Sequence, residues 1–212
     1  MPDPTRAADS IPNDLRSRAL ARAEQTAVKN PNIAPKADPA AQRDPVPATI
    51  PRRFRQASYS QLSPEIAQLV DDWTAAGMTA NVMLLGSVGV GKTHAACVMA
   101  ILAHQAGSRV RFAPVVELLD QLRPGGDPQA LQRACDVDVL VLDDIGVEKP
   151  TDWTGERLYA VINRRWLEER PTIATSNLPL ELAKERVGAQ AWSRLYHGAL
   201  RLAVSGKDRR VA

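Results

Sequence analysis

The chain has 212 residues, 27 of them basic and 24 acidic, for a formal net charge of +3; it is 44% hydrophobic but only 4% aromatic. That length accommodates one domain with an appendage, and its core must be built from Leu, Val, Ile and Ala. The charge bias is compatible with a nucleic-acid partner without arguing for one. No run approaches the ~18 apolar residues that span a bilayer, and the N-terminus lacks the apolar stretch of a secretory signal, so the expectation is a cytoplasmic protein without a membrane contact. Cys97 and Cys135 lie in or beside apolar runs, and the three histidines, His94, His104 and His197, are scattered. Reduced, buried thiols and no structural metal site are expected.

Residues 1–49 differ from the rest. Nine of the sixteen prolines fall between Pro2 and Pro51, and so few large apolar residues cannot offset the entropy of ordering. A mostly disordered Pro/Ala-rich arm is expected here. One stretch within it, Asn13 to Lys29, lacks Pro and Gly and reads as a possible helix capped by Asn13. Order is expected from Ile50. Ser63-Pro64-Glu65 starts a helix, with Ser63 as cap, that Gly77 ends. Val82 to Leu85 reads as a strand. A helix follows to Ala106, and then a strand over Arg109 to Ala113. Two short helices are expected over Pro114 to Leu122 and Pro128 to Cys135. Val137 to Leu142 is a buried strand interrupted only by Asp138. A helix over Asp152 to Glu169, a strand over Thr172 to Thr175, a helical stretch from Leu178 to Tyr196 broken at Gly188, and a strand over Leu200 to Val204 complete the chain. Strands alternating with helices predict an α/β fold with a parallel sheet covered on both faces. The four tryptophans, Trp73, Trp153, Trp166 and Trp192, are expected to pack.

Between the first strand and its helix stands Gly86-Ser87-Val88-Gly89-Val90-Gly91-Lys92-Thr93, followed by His94. This is the phosphate-binding loop G-x-x-x-x-G-K-[ST] between a strand and a helix, the context that gives it meaning. Its glycines let several backbone N–H groups converge on one anion, with the positive end of the next helix behind them. Lys92 would reach the β- and γ-phosphates of ATP, and the Thr93 hydroxyl would bind Mg²⁺. Phosphoryl transfer then needs an acid for the metal, a group for the attacking water, a polar contact to the γ-phosphate and a further positive charge. Asp143 and Asp144, at the carboxyl end of a buried strand, fit the first two roles: Asp143 holding the hydrated metal, Asp144 orienting or deprotonating water. Asn177, supported by Thr175 and Ser176, is the candidate γ-phosphate contact, although Ser-Asn is also good turn chemistry. Arg194, at a helix end, is the candidate positive charge, supplied to a neighbouring subunit. Phe54 and Tyr59 are candidates to border the base.

The motifs GSVGVGKTHAA, VLVLDDIGVEKPTDWTGERLYAVINRRW, RPTIATSNLP, WSRL and GKDRR, with the lead-in IPRRFRQASYSQL, resemble in order those of bacterial and phage helicase loaders of the DnaC type. The IstB-like transposition helper ATPases share that order. The resemblance covers about residues 50 to 212. It implies an AAA+ P-loop fold, a three-layer α/β/α sandwich with five parallel strands in the order 5-1-4-3-2 and no C-terminal helical lid. It also implies ATP with Mg²⁺, ATP hydrolysis, self-assembly into a ring or spiral, and a grip on single-stranded DNA. Arg194 would be the arginine finger, Asn177 the first sensor, and the helices between Pro114 and Cys135 the insertion of the initiator and loader branch. Arg123, Arg133 and Lys149 are then candidates for DNA phosphates, and Arg201, Arg209 or Arg210 for a second sensor. The expected function is helicase loading in DNA replication, with a DnaB-type replicative helicase as partner, contacted through the 13–29 helix. A transposition helper ATPase and a nucleotide-gated adaptor with little turnover are the alternatives. Two departures stand out: the arm replaces an ordered helical N-terminal domain, and Gly206 to Arg210 reads G-K-D-R-R where the family often has G-x-S-Y-R.

Overall fold

The structure, a computed structural model, describes residues 46–206 and 208. The candidate helix at 13–29, Arg209 and Arg210 lie outside the described residues. Two 3-10 turns, Arg52–Phe54 and Tyr59–Gln61, lead into α1 (Pro64–Ala75). Then follow β1 (Val82–Leu85), α2 (Lys92–Gln105), β2 (Val110–Pro114), α3 (Val115–Gln121), α4 (Ala130–Asp136) and β3 (Val139–Asp143). The chain continues through α5 (Asp152–Leu167), β4 (Thr172–Ser176), α6 (Leu180–Val187), α7 (Ala189–Tyr196) and β5 (Leu200–Ala203). All five strands are parallel, in the order β2-β3-β4-β1-β5, the expected order read from the other edge. Among the described residues no helix follows β5.

Because side chains alternate along a strand, each strand feeds two cores. Val82, Leu84, Val139, Val141 and Ile173 face α1 and α2, where Ile66, Val70 and Trp73 pack with Ala95 to Ala103. Met83, Leu140, Leu142 and Ala174 face the other layer, with Leu118, Leu158, Ile162, Ala183, Trp192 and Leu195. Helix α2 is buried over ten residues, including every one from Ala95 to Ala103. A helix apolar on all sides belongs inside a layer, and this one fixes the phosphate loop at its N-terminus. Four residues before the expected boundary at Ile50, Val46 is already buried, and the Thr49 hydroxyl accepts from Phe112 N at 2.9 Å on the edge strand β2.

The amino end of the sheet is closed by Arg165. Its side chain is 1% exposed. Its guanidinium donates to the carbonyls of Ala134, Cys135, Val137, Asp138 and Pro171 and to the Thr172 hydroxyl, at 2.6–3.2 Å. It thereby satisfies the free carbonyls at the end of α4, where a cation is favoured. Burial pulls its pKa down to about 9, still above neutrality. Asp138, the polar residue before β3, accepts from the Arg109 backbone and guanidinium at 2.8 Å.

Two local expectations are corrected. Ser63 stands at the N-cap of α1 without a side-chain capping bond; Pro64 at the first position starts the helix by its fixed φ. Trp73 and Trp192 are buried as expected, but Trp166 is 49% exposed at the end of α5. Cys97 and Cys135 are free and buried, and burial raises both thiol pKa values.

Candidate nucleotide site

The loop 86–91 leaves the carboxyl end of β1 and turns into α2 through Gly91, which stands at the N-cap with φ 106°. Two of its glycines are required by contact as well as by φ. A Cβ on Gly86 would collide with the Val204 carbonyl, and one on Gly89 would overlap the Asp208 carboxylate. The tail after β5 thus crosses the loop. Val88 is exposed at its tip, Ser87 is exposed beside it, and Val90 is tucked into the core.

Lys92 is 4% exposed. Its ammonium donates to Gly86 O at 2.8 Å, Ser87 O at 2.7 Å and Asn177 Oδ1 at 2.6 Å. The Asn177 amide in turn donates from Nδ2 to Asp144 Oδ1 at 2.7 Å. Three residues far apart in sequence therefore form one chain: ammonium, amide, carboxylate. Beside it, the Thr175 hydroxyl donates to Asp143 Oδ1 at 2.7 Å and accepts from Asp144 N at 2.9 Å. Asp144 sits at φ 59°, a left-handed turn that points the two adjacent acids in different directions. Ser176 Oγ donates to Ile145 O at 2.7 Å, which pins the β4 end to the β3 end.

Asp143 is buried, and burial pushes its carboxyl pKa up; the Thr175 bond pulls it back and the neighbouring Asp144 charge adds to the rise. Thr93 Oγ1 lies 3.3 Å from Asp143 Oδ2. A hydroxyl and a desolvated carboxylate are the hard oxygen donors Mg²⁺ takes, with waters and substrate phosphates completing its shell. Among the described residues no cluster of three or more His, Cys, Asp or Glu side chains would hold a metal by itself. The donor set thus suits a metal shared with phosphate oxygens.

Lys92, Thr93, Asp143, Asp144 and Asn177 line a cavity of about 650 Å³ together with Gly89, Gly91, His94, Arg53, Phe54, Gln56, Ala57 and Gln61. Its size lies in the ~300–1,000 Å³ range of small-molecule clefts. Phe54 and His94 meet edge to face, with centroids 6.4 Å apart, forming an aromatic corner beside the loop. Tyr59 does not join them. It turns to α1, donating to Asp71 Oδ1 at 2.9 Å, and burial and that bond push its pKa up to about 12. Arg53, Gln56, Ala57 and Gln61 were not singled out in sequence. Glu148 is a second omission. It is buried just past the acid pair and accepts from Gly146 N at 2.8 Å, and burial raises its pKa.

Arg194 is not part of this cavity. Its backbone carbonyl accepts from Asn81 Nδ2 at 3.1 Å, and Asn81 immediately precedes β1. Arg194 therefore lies at the opposite end of the sheet from the phosphate loop. Arg201 rests over the Tyr196 ring at 4.5 Å. Arg123 pairs with Asp120, and Arg133 with Asp127; Lys149 is exposed.

Among solved structures, the DnaC helicase loader superposes with a TM-score of 0.66 at 24% identity, covering 73% of this chain and 100% of that one. AMPPCP-bound DnaA from Aquifex aeolicus superposes with a TM-score of 0.60 at 23% identity, over 72% of this chain and 52% of that one. The fold is that of AAA+ P-loop proteins. In sequence, the chain is 34% identical over 140 residues to an ATP-binding protein of insertion sequence IS21 from Pseudomonas aeruginosa, covering 62% of this chain and 52% of that protein. It is 32% identical over 124 residues to the XkdC protein of the phage-like element PBSX of Bacillus subtilis, covering 55% and 46%. The matched region spans about half the length of these curated relatives. The family model of the IstB-like ATP binding protein matches residues 54–211. That span takes in the phosphate loop and every strand of the sheet, and the chain therefore belongs to the IstB-like ATP binding protein family.

Proposed function

We propose that the protein is an ATP-hydrolysing switch that assembles on DNA and delivers a partner protein there. The observation that carries this reading is the Lys92–Asn177–Asp144 chain beside the Thr93–Asp143 pair. A γ-phosphate entering the loop would compete with the Asn177 amide oxygen for the Lys92 ammonium. Asn177 would then turn its amide to the phosphate or the attacking water, and release Asp144 Oδ1. Asp144 would orient that water and take its proton, a role worth ~10²–10⁴ in rate. Thr93 and Asp143 would hold Mg²⁺, which supplies charge neutralisation at the phosphate oxygens. Arg53, Phe54, Gln56 and Gln61 would wall the nucleotide from water, with Phe54 and His94 beside the base.

Arg194, remote from its own cavity, would serve the γ-phosphate of an adjacent copy, so that turnover requires an assembly. Single-stranded DNA would be held by that assembly, with Arg123, Arg133 and Lys149 as candidate contacts. The insertion-sequence relatives favour a transposase as the client. The DnaC-like fold favours a DnaB-type replicative helicase instead. Steady-state ATP hydrolysis with and without single-stranded DNA tests the enzyme. Absence of turnover in both would leave a nucleotide-gated adaptor. Co-purification with each client, with residues 1–49 present or deleted, separates helper from loader.

A further inference from the structure

We propose that Tyr159 and Trp166 are positioning residues that hold the Arg194 guanidinium between their rings and present its N–H edge to a second copy of the chain. This rests on the reading of Arg194 given above. Tyr159 and Trp166 lie two turns apart on one face of α5. The Arg194 Cζ sits 4.7 Å from the Tyr159 centroid and 5.4 Å from that of Trp166, both within the ~6 Å reach of a cation–π contact.

A guanidinium has two kinds of surface. Its faces are weakly hydrated and stack on aromatic rings, while its five N–H donors point outward in the plane. The Arg194 Cζ lies over both rings, and none of the guanidinium donors has a hydrogen-bond partner among the described residues. The side chain is half-buried, so its freedom is restricted while its bonding capacity is kept. Its backbone is anchored too. Asn81 Nδ2 donates to the carbonyls of Arg194 and Leu195 at 3.1 and 3.3 Å, and Asn81 Oδ1 accepts from Thr172 N at 2.8 Å. The last turn of α7 is thereby tied to the start of β4. Internal packing does not account for a large indole left 49% exposed at the end of α5; a ring placed to support a neighbouring cation does.

Two rings sharing one cation predict a loss of roughly 3- to 30-fold in kcat for each ring removed. The test is steady-state ATP hydrolysis by Trp166→Leu and Tyr159→Leu, beside Trp166→Phe, Tyr159→Phe and Arg194→Ala. The Leu variants should lose kcat with KM and ATP affinity unchanged, and the Phe variants should recover most of it. Trp166→Leu should regain activity when mixed with Lys92→Ala protein, which has an intact Arg194. A Lys92→Ala/Trp166→Leu double variant should rescue Arg194→Ala roughly 3- to 30-fold less well than Lys92→Ala does. Full turnover in both Leu variants, with Arg194→Ala impaired, overturns the ring support and leaves the role of Arg194 standing. Full turnover in Arg194→Ala overturns both. Equal losses in the Leu and Phe variants would also overturn the proposal, since the tyrosine hydroxyl or the full indole, rather than a π face, would then be at stake. Should Tyr159→Leu fail to fold, Trp166→Leu at its half-exposed position decides alone.

Discussion

The two ends of the sheet handle charge in opposite ways. At the carboxyl end, Lys92, Asn177, Asp144, Thr175 and Asp143 bond to one another in a chain. Each link is a polar group that a phosphate, a water or a metal can replace. At the amino end, Arg165 spends its donors on five carbonyls and a hydroxyl, none of which can leave. A polar group with an exchangeable side-chain partner, as Lys92 has in Asn177, serves chemistry; one whose donors all meet fixed acceptors, as at Arg165, serves the fold. Substitutions at the carboxyl end should therefore change nucleotide handling, and those at the amino end should change stability.

The sharpest test of that division is Asp144→Asn. Turnover should fall by about 10²–10⁴, while ATP binding and the thermal midpoint stay near those of the wild type. Retained turnover would move the base elsewhere. Next comes Arg165→Met, which keeps much of the volume but leaves the carbonyls unpaired. Stability in urea should fall by about 3 kcal/mol or more, and ATP affinity of the folded fraction should hold. A stable Arg165→Met protein with altered nucleotide affinity would break the comparison. Lys92→Ala should cost about 100-fold in ATP affinity, the worth of roughly 3 kcal/mol in charge-assisted bonds, read by calorimetry; undiminished affinity would remove the site.

The smallest effect is one of pH. Burial raises the Asp143 pKa, so the folded protein binds that proton more tightly than the unfolded chain. Its contribution to stability therefore declines as pH rises from the ordinary carboxylate range through the raised value, and is level above it. Asp143→Asn should flatten that part of the stability profile, measured by urea midpoints, and abolish any Mg²⁺ dependence of nucleotide affinity. An unchanged profile would mean that the carboxylate is not desolvated.

The division was half legible in the sequence. The phosphate loop announces itself because glycines, Lys and Thr must stand at fixed offsets to surround one anion, and the acid pair because it ends a run of Val and Leu. Strand order followed from the resemblance, not from any local pattern. The link from Lys92 through Asn177 to Asp144 was hidden because it joins the ends of three strands, and only the sheet brings those ends together. Arg165 was hidden for another reason. It stands next to Arg164 in NRRW, and nothing local says which of two adjacent arginines points inward; the 1% exposure of Arg165 against the 49% side-chain exposure of Arg164 is a tertiary fact. Tyr59 and Trp166 depart from expectation in opposite senses: Tyr59, expected beside the base, turns to α1, and Trp166, expected to pack, is left half exposed, because the direction of an aromatic side chain depends on its tertiary neighbours.

The lead-in through the two 3-10 turns has a mechanical consequence. Thr49 is fastened to the β2 edge, and twelve residues on, Gln61 still borders the nucleotide cavity. That ribbon is a side wall built from neither a strand nor an α-helix, tied to the β2 edge at its upstream end and to α1 through Tyr59 and Asp71. A protease cut within it would unhinge the wall while leaving the loop, the acids and the Asn177 amide where they are. Bound nucleotide should shield that ribbon from digestion.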